Sequence, residues 1–321
     1  MMRLEMILQN VQTVGLAGHI RPDGDSVGAC VGLWNYIKDN FPQIRADIWL
    51  EQPDRKFSIL EGFEMIRRPD GQDRKYDLFI SLDAADLKRL GDALPYFENA
   101  KKTVCVDHHI SNKGVADENV IVPDASSTCE VLFHMMEPEQ ISRAAATAIY
   151  MGIAHDTGVF QYSCTSPDTM RAAAVLMEKG IPYSRILEET FYKKTYLQNQ
   201  VLGRALLESM LLLDGRCIVS VTRKRDMEFF GVGPADLEGI VSQLKLTEGV
   251  EVAIYLYETG NHEYKVSLRS KELVDVSEIA SYFGGGGHVR AAGVTMQGTF
   301  HDIVNNLTLH IERQLTEQET E

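Results

Sequence analysis

The first half of the chain alternates runs that are apolar throughout with stretches of helical period. TVGLAGH (13 to 19), ADIWL (46 to 50), DLFISLD (77 to 83), KTVCVD (102 to 107) and NVIV (119 to 122) read as strands. Unbroken apolar character marks strands buried on both faces, and their alternation with helices predicts a parallel, doubly wound α/β sheet with flanking helices. Ser26 follows a turn and precedes VGACVGLWNYI, so it is the expected N-cap of the first long helix. From about Ser127 to Thr195 the pattern turns helical: STCEVLFHMME, SRAAATAIYMGIAHDTG and SPDTMRAAAVLMEKG. The last of these carries a capping Ser166, Pro167 at its start and Gly180 at its end.

A connecting helix is expected over 193 to 210. Beyond it, RCIVSVT, VEVAIYLYE and YKVSLRS read as strands, with a helical PADLEGIVSQL between the first two. This predicts a second, smaller α/β domain. It closes with SEIASYFGGGGHVRAAGVTM, a helix from Phe300 to about Leu315 and a polar tail, TEQETE, expected to fray. The predicted division is 1–192, 193–210 and 211–321.

A length of 321 residues suits two domains with sizeable cores. Hydrophobic residues make up 44% and charged residues 24%, the balance of a soluble globular chain. No stretch approaches the roughly 20 apolar residues of a membrane span, and the N-terminal segment lacks a basic region and a cleavage site, so a cytoplasmic protein with no membrane partner is expected. The cysteines (Cys30, Cys105, Cys129, Cys164, Cys217) lack CxxC spacing and read as reduced thiols. A net charge of -14 disfavours long polyphosphates and argues against double-stranded DNA, while leaving small anions open.

Candidate chemistry gathers at predicted strand ends and turns, the edge where ligands bind in open α/β sheets. His19, Asp23 and Asp25 lie in GHIRPDGDS, where Pro22 and Gly24 enforce a turn. Asp83 ends DLFISLD, Asp107, His108 and His109 end TVCVDHH, and Asp156 lies in GIAHDTGVF. A lone strand-end aspartate is usually a turn residue or cap. Convergence of four carboxylates with two histidines in one crevice would instead require cations to neutralise them. A mixed Asp/His set suits manganese, and magnesium, zinc or iron less clearly; six ligand groups exceed the needs of one ion and suggest two.

GHIRPDGDSVG, the Asp of ISLD, VDHH, GIAHDTGVFQYSCTSPDT and GGGGHVRAAG, in this order, resemble the Asp-His-His (DHH) phosphoesterase family with its DHH-associated C-terminal domain. The likeness covers nearly the whole chain. It points to the two-domain oligoribonucleases (nanoRNases), pAp phosphatases and cyclic-dinucleotide phosphodiesterases. The resemblance implies an active site in the cleft between the domains. There His19, Asp23 and a bridging Asp83 would hold one metal, and Asp25, Asp83, His108 and Asp156 the other. Asp107 would orient a ligating histidine, and His109 would touch the scissile phosphate or assist the leaving group. Two manganese ions, with magnesium as the alternative, would activate a water for in-line displacement, so no covalent nucleophile is needed. Ser126, Ser127, Thr128 and Thr157 then read as caps and turn residues.

In the second domain the resemblance makes Arg269, Gly285, Gly286, Gly287, His288 and Arg290 substrate-binding candidates, the glycines leaving the backbone free to approach a phosphate. Phe160 and Tyr162 read first as core, with base stacking as the alternative. The implied activity is hydrolysis of short oligoribonucleotides, dinucleotides or 3'-phosphoadenosine 5'-phosphate (pAp). A short RNA or small nucleotide is the expected partner, and a homodimer the expected assembly. Rival readings are a cyclic-dinucleotide phosphodiesterase, a manganese pyrophosphatase and a non-catalytic nucleotide sensor; the GGGGH run counts against the pyrophosphatase.

Overall fold

A computed structural model describes residues 2 to 319. It divides into two compact units, Met1–Lys193 and Lys194–Glu321. In the first, the order is α1 (Leu4–Ile7), β1 (Thr13–Ala17), α2 (Gly24–Asn40), β2 (Arg45–Trp49), β3 (Ile66–Arg67), β4 (Leu78–Leu82), α3 (Leu94–Glu98), β5 (Thr103–Asp107), β6 (Glu118–Ile121), α4 (Thr128–Met135), α5 (Arg143–Asp156), α6 (Pro167–Glu178) and α7 (Tyr183–Leu187). The second comprises α8 (Tyr196–Leu207), β7 (Met210–Leu212), β8 (Cys217–Thr222), α9 (Lys224–Phe230), α10 (Ile240–Lys245), β9 (Val252–Gly260), β10 (Glu263–Ser270), α11 (Val276–Tyr282), β11 (Gly286–His288), β12 (Ala291–Gln297) and α12 (Phe300–Glu319).

Strands of the first unit pair in parallel in the order β3-β2-β1-β4-β5-β6. All five residues of β4 are buried, as a strand covered on both faces requires. The two-residue β3 lacks a run long enough to be seen in sequence. Helices α2 and α5 cross closely because glycines leave room. A Cβ on Gly28 would stand 2.6 Å from the Ala148 carbonyl, and one on Gly32 would stand 2.6 Å from Ile149 Cδ1. That crossing brings the start of α2, with Asp25, beside the end of α5, with Asp156.

Two expectations about helix ends change. The N-cap of α2 is Asp23, whose side chain accepts from the N–H groups of Asp25 and Ser26; Ser26 lies inside the first turn. The Pro22–Gly24 turn ends earlier than the serine rule suggests, and a carboxylate one residue before the helix takes the cap. The segment 316 to 319, expected to fray, continues α12; residues 320 and 321 of that tail lie outside the described residues. Leu315, Ile311 and Leu307 are fully buried, so packing carries the helix to its end. Ser166 does cap α6, in a reciprocal capping box with Thr169.

In the second unit a mixed sheet runs β11-β12-β10-β9-β8-β7, with only β8 and β9 parallel. Period-two alternation feeds two cores. Cys217, Val219, Val252 and Ile254 join α11 and α12 on one face, while Ile218, Ala253 and Tyr255 join α8 and α10 on the other. Helix α8 therefore packs on this sheet, through Val201 and Ala205, rather than standing free as a connector. It ends at Leu207, and Met210 already belongs to β7.

Candidate metal centre

Several donors are seated by local backbone chemistry. His19, 5% exposed just past β1, bonds the Ile20 carbonyl through Nδ1 at 2.7 Å, which leaves Nε2 to face the acids. That Nε2 lies 3.4 Å from Asp23 Oδ2 and 3.4 Å from Asp83 Oδ2. Asp83 follows β4 in the left-handed region (φ 56°), its N–H bonded to the Val106 carbonyl at 3.1 Å. Its other oxygen, Oδ1, lies 3.7 Å from His108 Nε2 and 3.6 Å from His109 Nδ1. Thr128, which reads as a cap in the sequence, also donates its hydroxyl to Asp83 Oδ1 at 3.2 Å.

Fully buried Asp25 accepts the Thr128 and Cys129 N–H groups, at 2.7 and 2.9 Å, so the positive end of α4 faces its carboxylate. Asp156 ends α5, with its Oδ2 3.2 Å from His108 Nε2. Beyond it Gly158, Val159 and Phe160 all have left-handed φ, an uncommon state for a β-branched residue. Asp107 is fully buried. It accepts from His109 Nδ1 at 2.7 Å, from the main chain of His108 at 2.8 Å and from Asn112 Nδ2 at 2.7 Å. Its side chain thus orients His109 and touches His108 only through the backbone. Asn112 drew no attention as a sequence; its five-residue spacing from Asp107 was the available signal.

The charges cannot coexist unaided. Burial and repulsion from Asp25 and Asp83 push Asp156 up to about 10, and burial with the Asp83 charge pushes Asp25 well above the carboxylate range. Burial opposes charging of His19, yet hydrogen bonds and charge from Asp23 and Asp83 raise it to about 10. Asp23 moves the other way; burial would raise it, but the bond to His19, the His19 charge and the Ser26 and Asp25 N–H groups together hold it at about 2. Burial lowers His108, keeping it neutral, whereas the bond to Asp107 raises His109. Three donor groups, His19–Asp23–Asp83, Asp25–His108–Asp156 and Asp83–His108–His109, each have ligand atoms within 4.8 Å of one another. Asp83 and His108 link them into one cluster, and imidazole with carboxylate is a donor set that suits a borderline-to-hard divalent cation.

Residue model matches settle what this cluster belongs to. Residues 13–153 match the N-terminal domain of the DHH family, and residues 214–315 match the DHHA1 domain. The chain belongs to the DHH family. A bifunctional oligoribonuclease and PAP phosphatase NrnA from Thermus thermophilus is 27% identical over 287 residues, covering 88% of this chain and 84% of its own. The Bacillus subtilis protein of the same name is 24% identical over 302 residues, covering 92% and 93%. An exopolyphosphatase-related protein from Bacteroides fragilis shares the fold, with a TM-score of 0.87 at 22% identity over 97% of this chain and 94% of its own. With the donor cluster, the DHH match makes this chain a metal-dependent phosphoesterase.

The remaining predicted residues have the following local settings. In the second unit, Gly286–His288 form β11, an exposed edge strand paired with β12, rather than an irregular loop. Arg290 Nη1 donates to the Val274 carbonyl at 2.8 Å, and Arg269 Nη1 to the Leu268 carbonyl at 2.9 Å. Phe160 is half-buried against Tyr150, whereas Tyr162 is 49% exposed and so is not core. His155 packs under the α2 turn, its Nε2 2.9 Å from Thr190 Oγ1. Among the described residues no helix is long and apolar enough to cross a membrane.

Proposed function

We propose that this chain is a manganese-dependent phosphoesterase that releases mononucleotides from short oligoribonucleotides and dephosphorylates pAp. The observation that carries the reading is Asp83, whose two oxygens face different donor groups, Oδ2 toward His19 and Oδ1 toward His108 and His109. A bridging carboxylate of this kind serves two cations. The names of the Thermus and Bacillus relatives supply the substrate class.

His19, Asp23 and Asp83 would hold one cation; Asp25, Asp83, His108 and Asp156 the other. Bound manganese supplies Lewis-acid stabilisation of phosphate oxygens and a lowered pKa for water. The protein does the rest. Asp107 ties up His109 Nδ1, so the ring presents Nε2 to substrate, and the raised proton affinity of His109 suits it to protonate the leaving oxygen. His288, exposed on β11, and Arg269 are the second unit's candidates for holding the nucleotide.

The test is a chromatographic product assay. Protein with manganese is incubated separately with pApA, a five-nucleotide RNA, pAp, cyclic di-AMP and pyrophosphate, with Asp83→Asn as control. Mononucleotide from pApA and RNA, absent in the control, supports the proposal. Consumption of pyrophosphate alone, or of nothing, overturns it.

A further inference from the structure

Four ligating carboxylates (Asp23, Asp25, Asp83 and Asp156) balance two divalent cations, so a phosphate arrives with its own charge uncompensated. Phosphate recognition calls for a fixed cation with paired donors, which is arginine's geometry. Arg89 meets that description and appears in none of the sequence motifs. It lies in a 3-10 segment, Leu87–Ala93, that Asp86 caps through the Lys88 N–H.

This segment is locked to the loop carrying His19. The Arg89 carbonyl accepts the Ile20 N–H at 2.7 Å, and Ile20 in turn receives the His19 ring on its own carbonyl. Gly91 (φ 53°) makes the fit, since a Cβ there would stand 2.5 Å from Ile20 Cγ2. Any shift of Arg89 is therefore a shift of the His19 loop. The Arg89 charge reaches the other side of the centre as well, opposing protonation of His109.

Yet the side chain is not engaged in holding the fold. Arg89 Nε is buried and has no hydrogen-bond partner. A buried guanidinium N–H without a partner is unfavourable, and a bound acceptor would remove that cost. Residues that follow Arg89 in the chain (Leu90, Asp92 and Ala93) line a cavity of about 500 Å3 together with His19, Glu51 and Arg68. We propose that Arg89 binds the substrate's phosphate, its guanidinium taking two oxygens of the group that sits on the metal cluster. The assignment rests on the phosphoesterase reading. It adds the residue that matches the charge the metals leave over.

The experiment pairs equilibrium binding with turnover. Inorganic phosphate is titrated calorimetrically into manganese-loaded wild type, Arg89→Gln and Arg89→Lys, with manganese stoichiometry and melting temperature measured for each. Phosphate affinity should fall at least about tenfold in Arg89→Gln and less in Arg89→Lys, which keeps the charge but loses the fork, with manganese stoichiometry unchanged. Turnover of pApA should fall about 10²- to 10³-fold in Arg89→Gln, mostly in kcat. Unchanged phosphate affinity in a folded, manganese-loaded Arg89→Gln overturns the assignment. If Arg89→Gln does not fold, Arg89→Lys decides alone: wild-type phosphate affinity in it counts against the proposal. Should wild type cleave no nucleotide while the phosphate affinities still separate, the functional reading falls and the role of Arg89 stands.

Discussion

The metal cluster of the first unit and the glycine hairpin of the second both looked, as sequence, like short motifs built for phosphate. Their structures differ in what fixes them. In the cluster, main-chain bonds seat three of the donors: Asp25 by two N–H groups of α4, His19 by the Ile20 carbonyl, Asp83 by its bond to the Val106 carbonyl. In the hairpin, packing explains two of the glycines. A Cβ on Gly287 would stand 2.4 Å from the Ala291 carbonyl, and one on Gly285 2.3 Å from that of Gly293. Invested backbone geometry aims side chains in one region and only permits close strands in the other.

The sharpest way to break this contrast is to remove chemistry from one region and space from the other. Asp83→Asn keeps the shape and tolerates the left-handed backbone, so it should fold with a native melt while kcat/KM for pApA falls at least about a thousandfold. Gly287→Ala should do the reverse. With φ 150° and no room for a Cβ, it should cost the second unit about 2–4 kcal/mol in denaturant unfolding and leave manganese binding intact. His288→Ala separates space from recognition within the hairpin. The residue is exposed, so stability should move by less than about 0.5 kcal/mol, and any rise in KM then belongs to substrate.

How much was legible follows the same division. Asp83, Asp107 and the histidines stood out because each ends a strand whose unbroken apolar run makes a charge at its end conspicuous. The meeting of Asp25 with Asp156 came from the family resemblance alone, since neither periodicity nor spacing shows that Gly28 lets α2 cross α5 so closely. Asp23 was read as a ligand candidate and not as the cap it also is, because one oxygen can cap while the other faces His19. Strands β11 and β12 escaped notice: GGGGHVRAAG carries a turn signature, and only its pairing with β10 makes it sheet. Arg89 escaped for another reason, as nothing in DLKRLG distinguishes a functional arginine from a solvated one.

A smaller effect tests the seat of Asp25. Glu130, 3% exposed on α4, accepts from Ser126, from Thr169 Oγ1 at 2.8 Å, and faces His134. Burial would raise this carboxyl, but those partners hold it at about 2, below its ordinary 4.5. A depressed carboxylate contributes stability that is full above about pH 4.5 and lost as pH falls through 2. Glu130→Gln should therefore cost about 2 kcal/mol at pH 7 and almost nothing at pH 2, read by urea unfolding at the two pH values.

A pH-dependent effect, about 1.4 kcal/mol per pH unit for each proton, bears directly on why the cluster needs cations. With Asp156 and His19 both raised to about 10, and Asp25 also raised, the metal-free centre carries at least two protons at pH 7.5 that bound cations must displace. Ligands bind in their deprotonated forms, so manganese affinity should rise with pH up to about 10, about tenfold per unit for each proton released. Asp23, held at about 2, contributes none, since it is already ionised. Calorimetric titration in two buffers of different ionisation heat counts the protons released, and Asp156→Asn should lower that count by one. The hairpin supplies the control: His288→Ala should leave it unchanged. Manganese binding that releases no protons and is flat from pH 6 to 9 would mean the carboxylates tolerate one another without cations, and the contrast between the two regions would lose its physical basis.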